Sequence, residues 1–397
     1  MCKCNISIIM PVYNNENYMS DTLQSVLKQT YQEFEIIVVD DGSTDQTKQI
    51  VEKYSRQDSR IRYFYQKQSN AGTARNYGMS FANGKYLMFL DGDDLFDENM
   101  LGEMYARIER ENADICICNA DQYDTRNNVY ISKPQYLRKE CLPEKTTFSR
   151  EELGRTIFYF TSLVPWNKLI RRAFLEEYNI RFQDIKRAND QLFSCMALIF
   201  AKRITVVNKI FVHYRIGQEK NLTTHFSDTP LCSFEAMLSV RKVLEKADLW
   251  ENKDIRCAFD NKVINLSLFS LNIQSTVDGY RELYNTLKEH GFKELGLVLK
   301  EENYYLNSLE YHNFKCILEN SYEEYLLIKN HEYRDTISRK NDQIKKKEEC
   351  IKDLRREKKT LQKKEKELNY IKSTKRYKWM AKLTGFYHKV IGRKKTG

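Results

Sequence analysis

Tyr86-Leu87-Met88-Phe89-Leu90-Asp91-Gly92-Asp93-Asp94 sets five apolar residues against a turn that carries three carboxylates. A continuous apolar run of this length, ended by Asp and Gly, reads as a strand buried on both faces. In open α/β sheets ligands gather at the carboxyl ends of the strands, so the acidic turn stands where chemistry is expected. Three carboxylates at one strand end repel one another. A divalent cation would neutralise them, and hard oxygen ligands select Mg²⁺ or Mn²⁺, which could bridge to a diphosphate. The plain alternative is a solvated acidic turn that caps the next helix.

Working outward, further apolar runs at 6–12, 35–39, 61–66 and 113–118 read as strands, and amphipathic stretches at 18–29 and 44–55 as helices. This alternation predicts βαβ units, hence an α/β fold with a mostly parallel, Rossmann-like sheet. Two more strand ends are polar. Pro11-Val12-Tyr13-Asn14 follows the first strand and Asp40-Asp41-Gly42-Ser43 the second. Gly42 suits a tight turn, and Ser43 or Thr44 suits the cap of the next helix. Capping needs at most one carboxylate, so the second can accept hydrogen bonds from a base or ribose.

The composition agrees with a folded protein. Of 397 residues 41% are hydrophobic and 49 are aromatic, which excludes a disordered chain, while 14 Gly and 5 Pro exclude collagenous or low-complexity sequence. No apolar run approaches the ~20 residues that span a bilayer. The N-terminus leads directly into a strand without the apolar core of a secretion signal, so a cytoplasmic protein is expected. Ten scattered cysteines without a Cys-x-x-Cys agree, and Cys116 and Cys118 are expected as small core residues rather than a metal pair. The net charge of +10 is unevenly spread. Residues 331–397 hold 23 Lys and Arg against 9 Asp and Glu, a net of +14, leaving −4 on the first 330. A globular nucleic-acid binder is therefore a poor reading.

Taken together, Ile8 to Asn14, Ile36 to Asp45, Asn70-Ala71-Gly72-Thr73-Ala74-Arg75-Asn76-Tyr77-Gly78 and Gly84 to Asp94 resemble the family 2 glycosyltransferases of the GT-A fold, over roughly residues 5–225. The resemblance implies a nucleotide-sugar donor, with Pro11, Tyr13, Asn14, Asp40 and Asp41 at its nucleoside end. Asn70, Arg75, Asp91 and Gly92 complete the donor site. Asp93 and Asp91 would hold Mn²⁺ or Mg²⁺, Asp93 being the better ligand. An inverting transferase needs a carboxylate to take the acceptor proton. Ala188-Asn189-Asp190-Gln191-Leu192-Phe193 is similar to the family's base motif, with Asp190 as the base and Asn189 where Glu is usual. Capping of the next helix is the competing role for Asp190.

Trp166, Asn167 and Lys168, with Asp94, stand as acceptor-side candidates, core packing being the alternative for Trp166. Tyr214-Arg215 with Asn221-Leu222-Thr223 resembles the stretch that often touches the diphosphate. His213 is expected to be structural. The implied function is UDP-sugar transfer to a glycan or lipid-linked acceptor in cell-surface polysaccharide synthesis. An inactive scaffold or a sugar-nucleotide pyrophosphorylase are the alternatives, although the loop after the first strand lacks the Gly-rich, basic signature of the latter.

Beyond the catalytic domain, expected at 1–228, lies an α-helical domain at 229–330 with helices at 231–247, 261–271 and 281–290. Segment 331–371 then spaces Ile337, Ile344 and Ile351, and after them Leu354, Leu361 and Leu368, by sevens, which predicts a weak coiled coil or a charged single helix and allows a homodimer. Segment 372–397 has nine Lys and Arg after Tyr370, no acidic residue, and an apolar stripe of Trp379, Leu383, Phe386, Tyr387, Val390 and Ile391. That combination predicts a helix lying on the anionic inner face of the cell membrane, docking on the catalytic domain being the alternative.

Overall fold

The computed structural model describes residues 4–217 and 229–392, with side chains up to residue 385. The stretch Asn221-Leu222-Thr223 and the side chains of Phe386, Tyr387, Val390 and Ile391 lie outside the described residues.

The expected strands form as β1 (Ile6–Val12), β2 (Phe34–Asp40), β3 (Ile61–Tyr65) and β4 (Tyr86–Phe89). They pair in parallel in the order β3-β2-β1-β4, with Ile6 opposite both Phe34 and Tyr86. Every residue of β2 and β4 is buried, the reason their sequences read as unbroken apolar runs. The helices Met19–Leu27, Thr47–Gln57 and Ala71–Met79 connect them. Gly78 lets the last of these lie flat on the sheet, because a Cβ there would stand 2.6 Å from Cγ2 of Ile9.

Past β4 the sheet changes character. β5 (Leu95–Phe96), β6 (Ile115–Asp124), β7 (Val129–Ser132), β8 (Lys168–Arg171) and β9 (Ile204–Ile216) extend it in the order β4-β8-β6-β9-β5, with β7 beside β6. Here β8 is antiparallel to both β4 and β6, and only β6 and β9 run in parallel. The sheet is thus mixed, a parallel half carrying the first three strand ends and a largely antiparallel half beside it. Strand direction depends on where a long connection delivers the chain, and apolar periodicity carries no record of it.

Residues Ile204–Ile216 form a single long strand. Asn208 and Lys209, which look like a turn, bulge out of β9 where the register against β6 shifts around Asn119. Cys116 and Cys118 are core residues as expected, fully buried with both thiols pushed up by burial, Cys118 to about 12. The helices Cys232–Lys246, Lys253–Asn272, Val277–Thr286 and Ser308–Glu319 follow. The chain divides into two compact units, Met1–Tyr322 and Glu323–Gly397. The second is built on the helices Tyr322–Ser373 and Lys375–Gly392.

Candidate active site at the strand ends

The loops after β1, β2 and β4 are sewn together by their own polar side chains. Asn14, at a positive φ of 48°, accepts from the Thr44 amide at 2.8 Å through Oδ1, and its own amide donates to Ser43 Oγ at 3.0 Å. The Asn15 amide donates to Thr47 Oγ1 at 2.7 Å and its side-chain amide to the Gly92 carbonyl. Ser43 and Thr44 therefore do not cap the following helix, as their position suggested. The N-cap is Gln46, which makes no side-chain capping bond, and Asp45 just before it accepts from the Thr47 amide at 2.9 Å. Gly92 is required by this closeness, since a Cβ would meet Asn15 Nδ2 and Val12 Cγ1 at 2.7 Å each. Pro11 is half-buried at the end of β1, and Tyr13 beyond it is 40% exposed.

Asp40 and Asp41 are both buried and both held. Asp40 accepts from the Ser43 amide at 2.7 Å and from Tyr63 Oη at 2.8 Å. Asp41 accepts from Gln66 Nε2 at 2.6 Å and from the Ser69 amide at 2.9 Å. Burial pushes the Asp41 carboxyl up, with Asp40 adding to the push. Asn70 caps the Ala71–Met79 helix by accepting from the Thr73 amide at 3.0 Å, and its Nδ2 donates to Asp184 at 2.7 Å. Tyr63 and Gln66 escaped the sequence reading, although Gln66 stands just past β3 at the same sheet edge.

The acidic turn separates into different environments. Asp91 and Asp93 are partly exposed, whereas Asp94 is fully buried and points inward, with Oδ1 accepting from the Arg215 amide at 2.9 Å and Oδ2 making no hydrogen bond. Burial, reinforced by Asp93 and Asp91, holds the Asp94 carboxyl well above the ordinary range. Asp94, an acceptor-side candidate in the sequence, is thus fully buried and tied through one carboxyl oxygen to β9. Arg215 adds to that tie through Nε, which donates to the Asp93 carbonyl at 2.7 Å, with its guanidinium 4.9 Å from the Tyr18 ring centroid.

Arg75 links the two ends of the site. From the Ala71–Met79 helix its Nη2 donates to Asp91 Oδ1 at 2.7 Å and its Nη1 to Asn189 Oδ1 at 3.1 Å, and its guanidinium lies 5.2 Å from the Phe182 centroid. Asn189 opens the helix Asn189–Phe200, so the residue standing where Glu is usual is a neutral hydrogen-bond acceptor for Arg75. Asp190 follows in the first turn. It is not the cap, since the N-cap is Ala188 in the left-handed region and no side chain caps the helix. Burial pushes the Asp190 carboxyl up and Asp91 adds to the push, while Arg75 and, more weakly, Lys168 oppose it. Gly72 admits the segment before Asp190, because a Cβ there would lie 2.6 Å from the Gln183 carbonyl oxygen.

Trp166, Asn167 and Lys168 are all buried. Trp166 stacks on Tyr214 at 5.9 Å and 8°, and the charges of Asp94, Asp93 and Asp91 raise Tyr214 beyond what burial does. Lys168 Nζ donates to the carbonyls of Ser162 at 2.8 Å and Val164 at 2.7 Å and to Asn167 Oδ1 at 2.8 Å. Its ammonium is thus enclosed in the core, whereas the sequence places it among the acceptor-side candidates. Asn167 is likewise spent on the Cys118 and Tyr136 carbonyls. His213 bonds Asp121 through Nδ1 at 2.6 Å, a structural pairing.

Residues 7–178 match the model of glycosyl transferase family 2. A Streptococcus pneumoniae glycosyltransferase, GlyG, is 30% identical over 56% of this chain and 74% of its own length. The chain belongs to glycosyltransferase family 2. Within that family it is 32% identical to the Staphylococcus aureus poly(ribitol-phosphate) β-N-acetylglucosaminyltransferase TarS, over 68% of this chain and 46% of TarS. The crystal structure of TarS residues 1–349 superposes with a TM-score of 0.60 at 26% identity, over 79% of this chain and 90% of that one. The same TarS fragment has been crystallised with UDP-GlcNAc, at a TM-score of 0.62 and 24% identity. This family 2 chain is therefore a glycosyltransferase of GT-A architecture.

Proposed function

We propose that this family 2 enzyme moves a sugar from a UDP-linked donor, with inversion at the anomeric carbon, to a glycan or lipid-linked acceptor in cell-surface polysaccharide synthesis. The observation that carries the reading is the Arg75 bridge, which joins Asp91 at the end of β4 to Asn189 beside Asp190. One buried guanidinium ties the place for a diphosphate to the place for a base. The UDP-GlcNAc complex of TarS supports a uridine donor.

Tyr13 offers an exposed ring to the base, and Asp40 and Asp41, positioned by Tyr63, Gln66 and Ser69, offer carboxylates to it or to the ribose. Asp190 takes the acceptor hydroxyl proton as that oxygen attacks the anomeric carbon. Its raised value suits a base that accepts a proton during the reaction, and the Arg75 charge keeps the carboxylate form accessible.

The carboxylates fit a hard divalent ion. Asp94 turns inward, which leaves the oxygens of Asp93 and Asp91 at the surface, and Asp91 is already shared with Arg75. Among the described residues no three His, Cys, Asp or Glu converge as a complete cage, so Asp93 and Asp91 would hold Mn²⁺ or Mg²⁺ together with diphosphate oxygens. When bound, the ion neutralises charge on the departing nucleoside diphosphate.

No described helix is long and apolar enough to cross a membrane. The helix Lys375–Gly392 exposes Tyr377, Trp379, Met380 and Leu383, which supports attachment to an anionic surface. The test is calorimetric titration of UDP with Mn²⁺ and with chelator, alongside a screen of nucleotide sugars for slow donor hydrolysis. Binding much tighter with metal, and hydrolysis of a UDP-sugar, are expected. Equal affinity in both conditions refutes the metal role, and selective hydrolysis of another nucleotide's sugars refutes the uridine donor.

A further inference from the structure

The helix Tyr322–Ser373 runs for 52 residues, and from 331 to 373 every residue on it is exposed. Helices draw most of their stability from packing an apolar face, and this stretch packs against nothing within its own unit. Six apolar side chains nevertheless line it, Ile337, Ile344, Ile351, Leu354, Leu361 and Leu368, each between 48 and 64% exposed. The first three occupy one seam position of a heptad and the last three the other. The two sets are mirror images about a point midway between Lys352 and Asp353.

We infer that this helix pairs with the same helix of a second copy of the chain, antiparallel, about a two-fold axis passing between Lys352 and Asp353. In an antiparallel pair each seam position faces the other kind, so the mirror pattern closes on itself. Ile337 meets the second copy's Leu368, Ile344 its Leu361 and Ile351 its Leu354, and the two-fold repeats each layer.

The charged seam residues decide the direction. Run in parallel, Lys340, Lys347, Lys358 and Glu365 would each face their own copy, giving four like-charged layers in the seam. Run antiparallel, Lys340 faces the second copy's Glu365, and only the Lys347–Lys358 layers remain repulsive. On the flanks, Glu348 falls beside the second copy's Arg355, an opposite-charge pair made twice. A stretch that looks like a poor coiled coil in one direction is complementary in the other.

The experiment uses the full chain carrying Cys350→Ser, which removes the exposed thiol on this helix. Into that background go Ile337→Cys in one sample and Leu368→Cys in another, oxidised separately and as a mixture. The mixture should give a disulfide-linked dimer on non-reducing gels. Each variant alone should not, because at ~1.5 Å rise per residue the two copies of residue 337 stand about 46 Å apart along the axis. A self-linked Ile337→Cys dimer, or no link in the mixture, overturns the inference.

Light scattering supplies the second reading. Wild type should be a dimer, Lys340→Glu should weaken it about tenfold or more, and Lys340→Glu with Glu365→Lys should restore it. A chain that is monomeric at all concentrations, whose seam then meets its own catalytic unit, a membrane or solvent, refutes the pairing. So does failure of the double exchange to rescue.

Discussion

Replacing Arg75 tests the junction on which the site depends. The side chain is 7% exposed, and Arg75→Ala removes an ion pair to Asp91, a hydrogen bond to Asn189 and a face contact with Phe182. Breaking a buried pair costs ~3–5 kcal/mol when the surviving charge stays buried. Asp91 is 28% exposed and rehydrates, which reduces that part to about 1.5–3 kcal/mol. The lost cation–π contact adds about 0.5–1 kcal/mol, for a total of roughly 2–4 kcal/mol. At about 2–4 °C per kcal/mol for a large domain, the melting temperature should fall by roughly 4–16 °C, read by calorimetry.

A structural role alone predicts no more than that. The electrostatic role predicts a second change, because Arg75 is the largest influence opposing the burial that raises Asp190. Without it the carboxyl rises further and stays protonated to higher pH, so the acidic limb of the transfer rate moves towards alkali. Arg75→Lys keeps the charge while losing the two-pronged bridge, and should keep most of the limb position while losing part of the stability. An Arg75→Ala protein that melts within a degree or so of wild type, with an unmoved limb, would refute the bridging argument.

Three further outcomes are expected. Asp190→Asn should leave donor binding nearly intact, by calorimetry, and reduce transfer by about 10² or more; a change of only a few-fold places the base elsewhere. Lys168→Met should destabilise by about 2–4 kcal/mol, since the Ser162 and Val164 carbonyls lose their donor. Burial lowers Lys168 to about 7, so between there and the ordinary lysine value the unfolded chain binds more protons and wild-type stability rises with pH; denaturant titrations of the Met variant should lack that rise. Truncation after Tyr370 should abolish flotation with anionic vesicles while sparing donor hydrolysis, and full-length flotation should weaken with salt; a truncated protein that floats equally well removes the membrane role.

The parallel half of the sheet and its polar strand ends were legible in the sequence because both are local. Buried parallel strands need continuous apolar runs, and the turns after them must carry whatever the site uses, so Asp40, Asp41 and the Asp91–Asp94 turn announced themselves. The heptad was legible for the same reason, as a helix repeats its face at a fixed interval. What stood outside the sequence were relations between distant residues. Arg75 and Asn189 are 114 positions apart, and only the packing of two helices against the sheet turns an apparently missing Glu into a neutral partner for that guanidinium.

Among Asp91, Asp93 and Asp94, spacing alone could not say which carboxylate turns inward. That followed from β9 returning to place the Arg215 amide against Asp94. Lys168 shows the same limit in reverse, since a lysine beside an acceptor-like Trp reads as a surface cation until three core oxygens are found around it. Local propensity and periodicity are properties of neighbours along the chain. Burial, charge pairing and the direction of β8 belong to neighbours in space, and the tertiary structure alone assigns them.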